Sequence, residues 1–338
     1  MGGDRIEDVS LVFMIRGGRI ENVHRGRIAV VSAEDGRLLH SCGNAEQAAY
    51  VRSTAKPIQA IAALLDGAAE AYGFEERHLA LLSASHRGSR EQIEALEEIL
   101  ARTELNEELL AIQPTLPVGL RSRDEYVAAG GKPRKLFHTC AGKHLGVLAW
   151  SKLKGWPLGG YIRPDHPAQQ EIVSRIKQWA DAEGERTTIG KDGCGFPVAA
   201  LPLRSLALAY GRLASPELAA DRAAAAAAGR MAAAMNAYPG LVEGRYRLAS
   251  LLLEDPNIVA KSGAHGVFAL GLRRERIGVS LAATDGTEAA WPYIVKAVLK
   301  RIGGASDDTI GKLERTFPDE FLNDAKEAAG RWEAVFSW

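Results

Sequence analysis

A serine and a lysine three positions apart are the first residues in this sequence that suggest chemistry. Ser53 and Lys56 lie at the start of a predicted helix. Side chains at this spacing share one helix face, with Cβ atoms about 5 to 6 Å apart, so an uncharged Lys56 amine could accept the Ser53 hydroxyl proton. The positive end of the helix would favour the serine alkoxide. Taken alone, the pair is explained as well by a solvated first helical turn.

A second serine precedes another predicted helix. Ser85 follows an apolar run that ends in small polar residues, a pattern that delivers hydroxyl groups into a cleft. Ser89 stands one position before the helix predicted from Arg90, where a serine commonly caps the first turn. We therefore assign Ser85 to the candidate site and Ser89 to helix capping.

A lysine-serine-glycine triplet stands directly before a predicted β-hairpin, at residues 261–263. Serine β-lactamases and penicillin-binding proteins carry their K-T-G motif in this context. Glycine there lets a substrate approach the strand backbone, and Lys261 could hold a substrate carboxylate or tune the nucleophile. A surface turn is the alternative interpretation. The S-D-N element of β-lactamases is missing, because Ser122-Arg123-Asp124 has the wrong central residue.

Two thiols suggest a second cluster, in residues 138–144 and 192–195. Cys140 and Cys194 could bind zinc if the fold brought them together, although no C-x-x-C spacing supports this. Buried free cysteines are the ordinary alternative, and a disulfide is disfavoured in a reducing compartment. Asp192, in a glycine-rich loop, could accept hydrogen bonds from a substrate ammonium group or could form an Asx-turn.

The elements that must position these side chains follow from the spacing of apolar residues. Strands are predicted at Val9–Ile15, Arg27–Ser32, Arg37–Ser41, Gly266–Leu272 and Ile277–Ala282. Helices are predicted from Ser53 to Gly67 and at Arg90–Leu100, Gly142–Leu153, Ala168–Ala182, Leu203–Leu213, Leu218–Met235, Ala290–Arg301 and Pro318–Ala329. This order predicts an α+β fold in which the distant chain ends share an antiparallel sheet. We expect one catalytic unit over residues 1–338, with a sheet lobe from about 8–52 and 258–338 and a helix-rich lobe from about 53–257.

Composition favours an ordinary globular protein with a small ligand. The 338 residues are 46% hydrophobic, and 42 basic residues balance 42 acidic ones. A balanced chain lacks the basic field that nucleic acid or a membrane surface requires. The sequence has no apolar run near the roughly 20 residues of a membrane span and no signal-peptide cleavage site, so we expect a cytoplasmic protein. No dinucleotide or P-loop motif indicates a nucleotide cofactor.

Seven motifs in order resemble the L-asparaginase II family, typified by the rhizobial thermolabile asparaginase. They are RSTAKPIQA, SASHRG, CAGKH, HPAQQ, DGCGFPVAALPL, AM-x-x-YPGLV and VAKSGAHGV. The resemblance runs over most of the chain. It implies a fold related to serine β-lactamases and glutaminases, usually as a homodimer. Departures from the family pattern occur at Asn44, Gln113 and His265 and between Ala282 and Gly286, where the family often has a lysine.

The resemblance also implies roles for individual residues. Ser53 would be the nucleophile paired with Lys56, and Ser85 with Lys261 would form a second pair. Arg52, Asp192 and His144 would bind substrate. Cys140, Lys143 and Cys194 match the positions that hold zinc in the family.

The predicted activity is hydrolysis of L-asparagine to L-aspartate and ammonia through a serine activated by a lysine. Two alternatives stay open at this point. One is another amidohydrolase of the same scaffold, with glutaminase or β-lactamase-like activity. The other is a degenerate protein that binds an amino acid or zinc without turnover.

Overall fold

The structure is a computed structural model that describes residues 7–182, 187–219 and 221–338. The chain divides into two compact units. One comprises the residues up to 54 together with 200–215 and 254–338, and the other comprises 55–199 and 216–253. Within the described residues, no helix is both long and apolar enough to cross a bilayer.

The strands and helices are numbered in chain order over both units. The strands are β1 Val9–Arg16, β2 Arg19–Ser32, β3 Leu38–Cys42, β4 Ala48–Tyr50, β5 Thr188–Lys191, β6 Pro197–Pro202, β7 Ile258–Ser262, β8 Val267–Leu272, β9 Ile277–Ala283, β10 Glu320–Leu322 and β11 Ala328–Ala334. The helices are α1 Lys56–Leu65, α2 Ala68–Ala71, α3 Glu76–Leu82, α4 Arg90–Thr103, α5 Leu120–Ala128, α6 Ala141–Leu153, α7 Pro167–Trp179, α8 Leu203–Ala214, α9 Arg222–Ala237, α10 Pro239–Val242, α11 Leu248–Leu253, α12 Trp291–Ile302 and α13 Asp307–Thr316.

The first unit is built on an antiparallel sheet that joins both ends of the chain. Its strand order is β10-β11-β1-β2-β9-β8-β7, with β3 also paired to β2. Strand β2 pairs with β9 from Gly26↔Ala283 to Ser32↔Ile277 without a register shift. This arrangement confirms the predicted α+β class and the sharing of one antiparallel sheet by the N- and C-terminal segments.

Helix α8 belongs to the sheet unit, although residues 203–214 were expected in the helix-rich lobe. The reason is a close approach of backbones that only glycine permits. A Cβ at Gly278 in β9 would lie 1.7 Å from the Ala207 carbonyl oxygen, and one at Gly271 in β8 would lie 2.1 Å from that of Tyr210. Because glycine has no side chain at these strand positions, α8 packs directly on the sheet.

The helix predicted at Pro318–Ala329 is wrong, because this segment forms β10, a turn and β11. Asn323 and Glu327 close the turn, with the Asn323 N–H donating to the Glu327 carbonyl at 2.9 Å. Strand β11 then pairs with β1, from Val12↔Ala334 to Ile15↔Arg331. Alanine and charged residues favour a helix locally, but backbone pairing with the edge of the sheet decides the structure.

The second unit is mainly helical, and α1 is buried along almost its whole length. Residues 56–64 of α1 are all buried, and the helix contacts α6, α7 and α9. Small residues allow close packing in this unit as well, since a Cβ at Gly142 in α6 would lie 2.0 Å from the Leu81 carbonyl oxygen. Lys56, the first residue of α1, is thereby buried at the centre of the unit.

The sequence correctly assigned Ser89 to helix capping. Ser89 Oγ accepts a hydrogen bond from the Gln92 N–H at 3.3 Å, and Gln92 Oε1 accepts one from the Ser89 N–H at 3.0 Å. This reciprocal pair is a capping box and satisfies two backbone donors at the start of α4. Ser85, four residues earlier, is therefore not needed for capping.

Candidate active site

The candidate nucleophile lies in a 3-10 turn that leads into α1. The turn spans Arg52–Ala55, and the α-helix begins at Lys56, so Ser53 lies outside the α-helix in which the sequence placed it. Arg52 has a φ of 50°, a left-handed conformation that is strained for a residue with a Cβ. Such strain is commonly found at functional sites.

Lys56 makes its contacts within the helical unit to the segment that carries Ser85. Its Nζ donates to the Ala84 carbonyl at 2.6 Å and lies 3.1 Å from Ser85 Oγ. The Thr139 carbonyl is 3.5 Å away, and the Lys56 side chain is 1% exposed. The structure thus brings together Lys56 and Ser85, which are 29 positions apart.

The surroundings of Lys56 suit both protonation states of the amine. An uncharged amine has two N–H donors and one lone pair, and an ammonium ion has three donors. The Ala84 and Thr139 carbonyls can accept two N–H bonds in either state, which leaves the third position of the amine for a serine hydroxyl, such as that of Ser85. The amine can therefore take up a proton without having to find new partners, as a preorganised general base requires.

The predicted thiol cluster is also assembled within the helical unit. Lys143 Nζ lies 2.9 Å from Cys194 Sγ and 3.9 Å from the centre of the Phe196 ring. A hydrogen bond joins the thiols of Cys140 and Cys194, and all three cysteines of the chain are free. Helix α6 supplies Cys140, as its N-cap, and Lys143, whereas Cys194 comes from the loop between β5 and β6.

The charges of this cluster are strongly coupled. The hydrogen bond from Cys194 holds the pKa of Cys140 well below its usual range, against the effect of burial. The same bond, together with burial, raises the pKa of Cys194. Burial acts to lower the pKa of Lys143, but the two thiols outweigh it and the pKa is raised. Burial and mutual contact thus couple the protonation of the two thiols to that of the Lys143 amine.

The protonation of His144 can be derived from its neighbours. Tyr161 Oη accepts a hydrogen bond from the Ala111 N–H at 2.9 Å and lies 2.6 Å from His144 Nδ1. Among the described residues that ring nitrogen is the acceptor for the Tyr161 proton, so the His144 proton resides on Nε2. Burial holds the pKa of His144 well below its usual range, which keeps the ring neutral. Its Nε2–H is buried without a partner in the described chain.

Asp192 lies in the tight loop that presents Cys194. Its own N–H donates to the Phe196 carbonyl at 2.8 Å, and its Oδ1 accepts from the Gly193 N–H at 2.8 Å. The carboxylate also contributes to the raised pKa of Lys143. Asp192 is therefore a loop-forming residue with its negative charge close to the thiol cluster.

In the sheet unit, Lys261 and Ser262 form the end of β7 and not a turn before the hairpin. Lys261 is fully buried, and its Nζ donates to the Ser262 carbonyl at 2.9 Å and lies 3.4 Å from Ser262 Oγ. Gly263 follows in the connection to β8, where a Cβ would lie 2.7 Å from the Val267 carbonyl oxygen. The triplet is thus a buried strand end, which excludes the simple surface-turn interpretation.

Sequence reasoning missed two residues that line these groups. Tyr161 fixes the His144 ring, and nothing in the local sequence pattern distinguishes it from a core tyrosine. His86, in the SASHRG motif next to Ser85, is fully buried. The sequence signal that could have identified it is a histidine directly after Ser85 in the SASHRG motif.

The donor set of the thiol cluster fits zinc. Thiolate sulfur and an uncharged amine are ligands that zinc accepts, and Lys143 Nζ already lies 2.9 Å from Cys194 Sγ. Because the pKa of Lys143 is raised in the protein without metal, the amine would have to release a proton when zinc binds. Among the described residues, no group of three or more His, Cys, Asp and Glu side chains could hold a metal ion. A zinc ion at this place would therefore depend on Lys143 beside Cys140 and Cys194.

We propose that this cluster can hold zinc, and replacing Cys194 with serine is then expected to abolish zinc binding. The loss in affinity should exceed the roughly 10- to 100-fold that removal of an outer-shell partner costs. Zinc per chain, measured by mass spectrometry of metals after dialysis, checks this. Cys42→Ser is the matched control, because Cys42 is also buried but its Sγ donates to the Ser337 carbonyl in the sheet unit. Equal zinc content in both variants would contradict the assignment.

Comparison with known proteins places the chain in a class and a family. A family model described as L-asparaginase II matches residues 12–334, nearly the whole chain. This match makes the protein an amidohydrolase by class. The chain belongs to the L-asparaginase II family.

Solved structures that resemble this chain are distant from it in sequence. A β-lactamase from Mycobacterium bovis is 15% identical, with a TM-score of 0.43 over 82% of this chain and 94% of that one. A putative β-lactamase from Bacteroides dorei is 13% identical, with a TM-score of 0.43 over 81% and 92% of the two chains. Mglu in its glutamate form is 18% identical, with a TM-score of 0.38 over 84% and 62%. No curated protein matched the chain.

Proposed function

We propose that the protein is an L-asparaginase that hydrolyses L-asparagine to L-aspartate and ammonia. The observation that carries this proposal is the buried contact of 3.1 Å between Lys56 Nζ and Ser85 Oγ, in a member of the L-asparaginase II family. A buried amine that touches one serine hydroxyl and stands three positions after another is equipped to move protons for an acyl transfer.

In the proposed mechanism, Ser53 attacks the side-chain amide carbon of asparagine. Lys56 accepts the hydroxyl proton and, through Ser85, returns it to the leaving ammonia. Water then hydrolyses the aspartyl ester by the reverse proton path. The carbonyls of Ala84 and Thr139 hold the amine in place throughout, since they can accept its N–H groups in both protonation states.

Recognition of the substrate is assigned to charged groups and to one neutral donor. Arg52 and Lys261 would neutralise the α-carboxylate, and Asp192 would accept hydrogen bonds from the α-ammonium group. The His144 Nε2–H would donate to a substrate oxygen, because its tautomer leaves that proton without a partner in the described chain. Zinc held by Cys140, Lys143 and Cys194 would supply a fixed positive charge when bound. The proposal includes a homodimer, which analytical ultracentrifugation tests.

Ammonia release from asparagine and from glutamine, measured beside nitrocefin hydrolysis, tests the activity. We expect asparagine to be preferred, because one extra methylene changes transition-state binding by about 1–3 kcal/mol, or roughly 10- to 200-fold. A preference for glutamine or nitrocefin would assign another amidohydrolase activity. Saturable binding of asparagine without turnover would instead make the chain an amino-acid-binding protein.

A further inference from the structure

The turn that carries Ser53 leaves one of its backbone acceptors open to a donor from another part of the chain. Inside the turn Arg52–Ala55, the Thr54 N–H donates to the Val51 carbonyl at 3.1 Å, and Thr54 Oγ1 donates to the same carbonyl. Pro57 has no N–H group and so cannot close a 3-10 turn on the Thr54 carbonyl. A carbonyl oxygen has two lone pairs, so an outside donor can be accepted there.

Tyr210 is such a donor. It lies in α8, in the same sheet unit as Ser53 and Thr54, and is fully buried. Its Oη lies 2.7 Å from the Thr54 carbonyl oxygen, which is 156 positions away in the sequence. Because a carbonyl oxygen can only accept, the Tyr210 hydroxyl must donate, and the distance is the usual one for an O–H···O bond.

Helix α8 gives Tyr210 a rigid base. At the first residue of the helix, the Leu203 carbonyl accepts a hydrogen bond from Ser280 Oγ of β9 at 2.7 Å. Next to Tyr210, a Cβ at Gly211 would lie 3.0 Å from the backbone nitrogen of Gly278 in the same strand. Such close packing leaves the helix little freedom to move relative to the sheet. The Tyr210 hydroxyl therefore ties the 52–55 turn to the most rigid part of this unit.

Ser53 lies between a strained residue and an anchored one. Arg52, directly before it, has a φ of 50°, and Thr54, directly after it, carries the carbonyl that Tyr210 holds. A left-handed conformation at a residue with a Cβ persists only when its surroundings over-determine it. The bond from Tyr210 is one of these constraints, and its loss would let the turn relax and carry the Ser53 hydroxyl with it.

We propose that Tyr210 is a positioning residue that fixes the Ser53 hydroxyl for attack through its hydrogen bond to the Thr54 carbonyl. This inference rests on the proposed function, which makes Ser53 the nucleophile. Tyr210 acts through the backbone of the turn and is assigned no contact with substrate.

A matched pair of substitutions tests this role. Tyr210→Phe removes one hydroxyl and keeps the buried ring. Tyr72→Phe is the control, because Tyr72 Oη also donates to a backbone carbonyl, that of Ala149, at 3.0 Å. Tyr72 lies at the end of α2 in the helical unit and has no part in the proposed mechanism. Both variants lose one hydrogen bond of the same kind, so their melting temperatures should fall by similar amounts.

Their kinetics should differ. Tyr210→Phe is expected to lower kcat for asparagine by about 10- to 100-fold, because a displacement of about 1 Å at the reacting group can cost about 10²-fold in rate. KM should change little, since a misplaced nucleophile weakens the transition state and leaves substrate binding intact. Tyr72→Phe should keep the kcat of the wild type.

Two kinetic outcomes would overturn the proposal. Equal values of kcat in the two variants would mean that Tyr210 contributes only stability. A raised KM with unchanged kcat in Tyr210→Phe would mean that the turn serves substrate binding through Arg52 and does not position Ser53.

Hydrogen exchange gives a readout that needs no turnover. A peptide that covers residues 51–55 should exchange faster in Tyr210→Phe than in the wild type or in Tyr72→Phe, because loss of the bond promotes local opening of the turn. If the wild type releases no ammonia from asparagine, the proposed function fails, and this measurement still decides whether Tyr210 holds the turn. Unchanged exchange of this peptide, or a uniform increase over the whole chain, would overturn the inference even in an active enzyme.

Discussion

Replacing Ser53 with alanine is expected to lower kcat for asparagine by at least about 10³-fold, and up to about 10⁶-fold if the catalytic groups act as one unit. The substitution removes the proposed nucleophile, so no aspartyl ester can form. Because Ser53 lies in a 3-10 turn outside the α-helix, the loss of one hydroxyl should cost little stability. Ammonia release with saturating asparagine measures the effect, and binding of aspartate should persist.

Ser306→Ala is a suitable control for this variant. Ser306 Oγ caps α13 by accepting from the Thr309 N–H at 3.2 Å and donates to Asp255 at 2.9 Å. Its loss should cost about 1 kcal/mol of stability with turnover unchanged. Near-normal ammonia release by the Ser53 variant would contradict the proposal that Ser53 is the nucleophile.

Mass spectrometry of acid-quenched enzyme tells the two serines apart. The acyl mass is expected on the peptide that contains Ser53. An acyl group found instead on the Ser85 peptide would reverse their roles, and Ser85, already in contact with Lys56, would become the nucleophile.

Replacing Lys56 with methionine is expected to lower kcat by about 10²- to 10⁴-fold, the range that a positioned general base contributes. Methionine fills a similar volume but cannot accept a proton. The substitution also leaves the Ala84 carbonyl without its partner at 2.6 Å, and an unsatisfied buried acceptor costs about 1–3 kcal/mol. Rate constants should be measured well below the melting temperature of the variant, so that lost activity is not confused with unfolding.

Lys296→Met is a control that separates the loss of a proton acceptor in turnover from the loss of stability that follows removal of a buried amine. Lys296 is 4% exposed and donates to the Phe317 carbonyl at 2.6 Å, much as Lys56 donates to Ala84. It lies in α12 of the sheet unit and has no role in the proposed mechanism. We expect a comparable loss of stability with normal kcat, and equal losses of kcat in both variants would argue against a special role for Lys56.

Local sequence patterns predicted several features of this protein correctly. The spacing of apolar residues and the residues that begin or end an element located β1, α4 and α8 to within a few residues. Each of these elements buries one face and has clear end signals. The capping role of Ser89 followed from its position before Arg90. The prediction for Pro318–Ala329 was wrong, because its alanine and charged residues favour a helix locally, whereas pairing of β10 with β11, and of β11 with β1, makes the segment a hairpin.

Contacts between distant residues could not be derived in this way. The sequence suggested Ser53 as the partner of Lys56, and within the helical unit the fold adds Ser85, 29 positions away. It named Cys140 and Cys194 without a spacing that joins them, and α6 and the β5–β6 loop bring them together. The tautomer of His144 depends on Tyr161, which no pattern in the sequence indicates.

The sequence by itself determined the inventory of this protein, that is, the class of fold, the family and the side chains capable of chemistry. Tertiary structure decided which of them meet, which nitrogen of His144 carries the proton and how two carbonyls hold the Lys56 amine. The physical reason is that propensity and periodicity act over a few residues, whereas burial and hydrogen bonding join atoms that are tens to hundreds of positions apart.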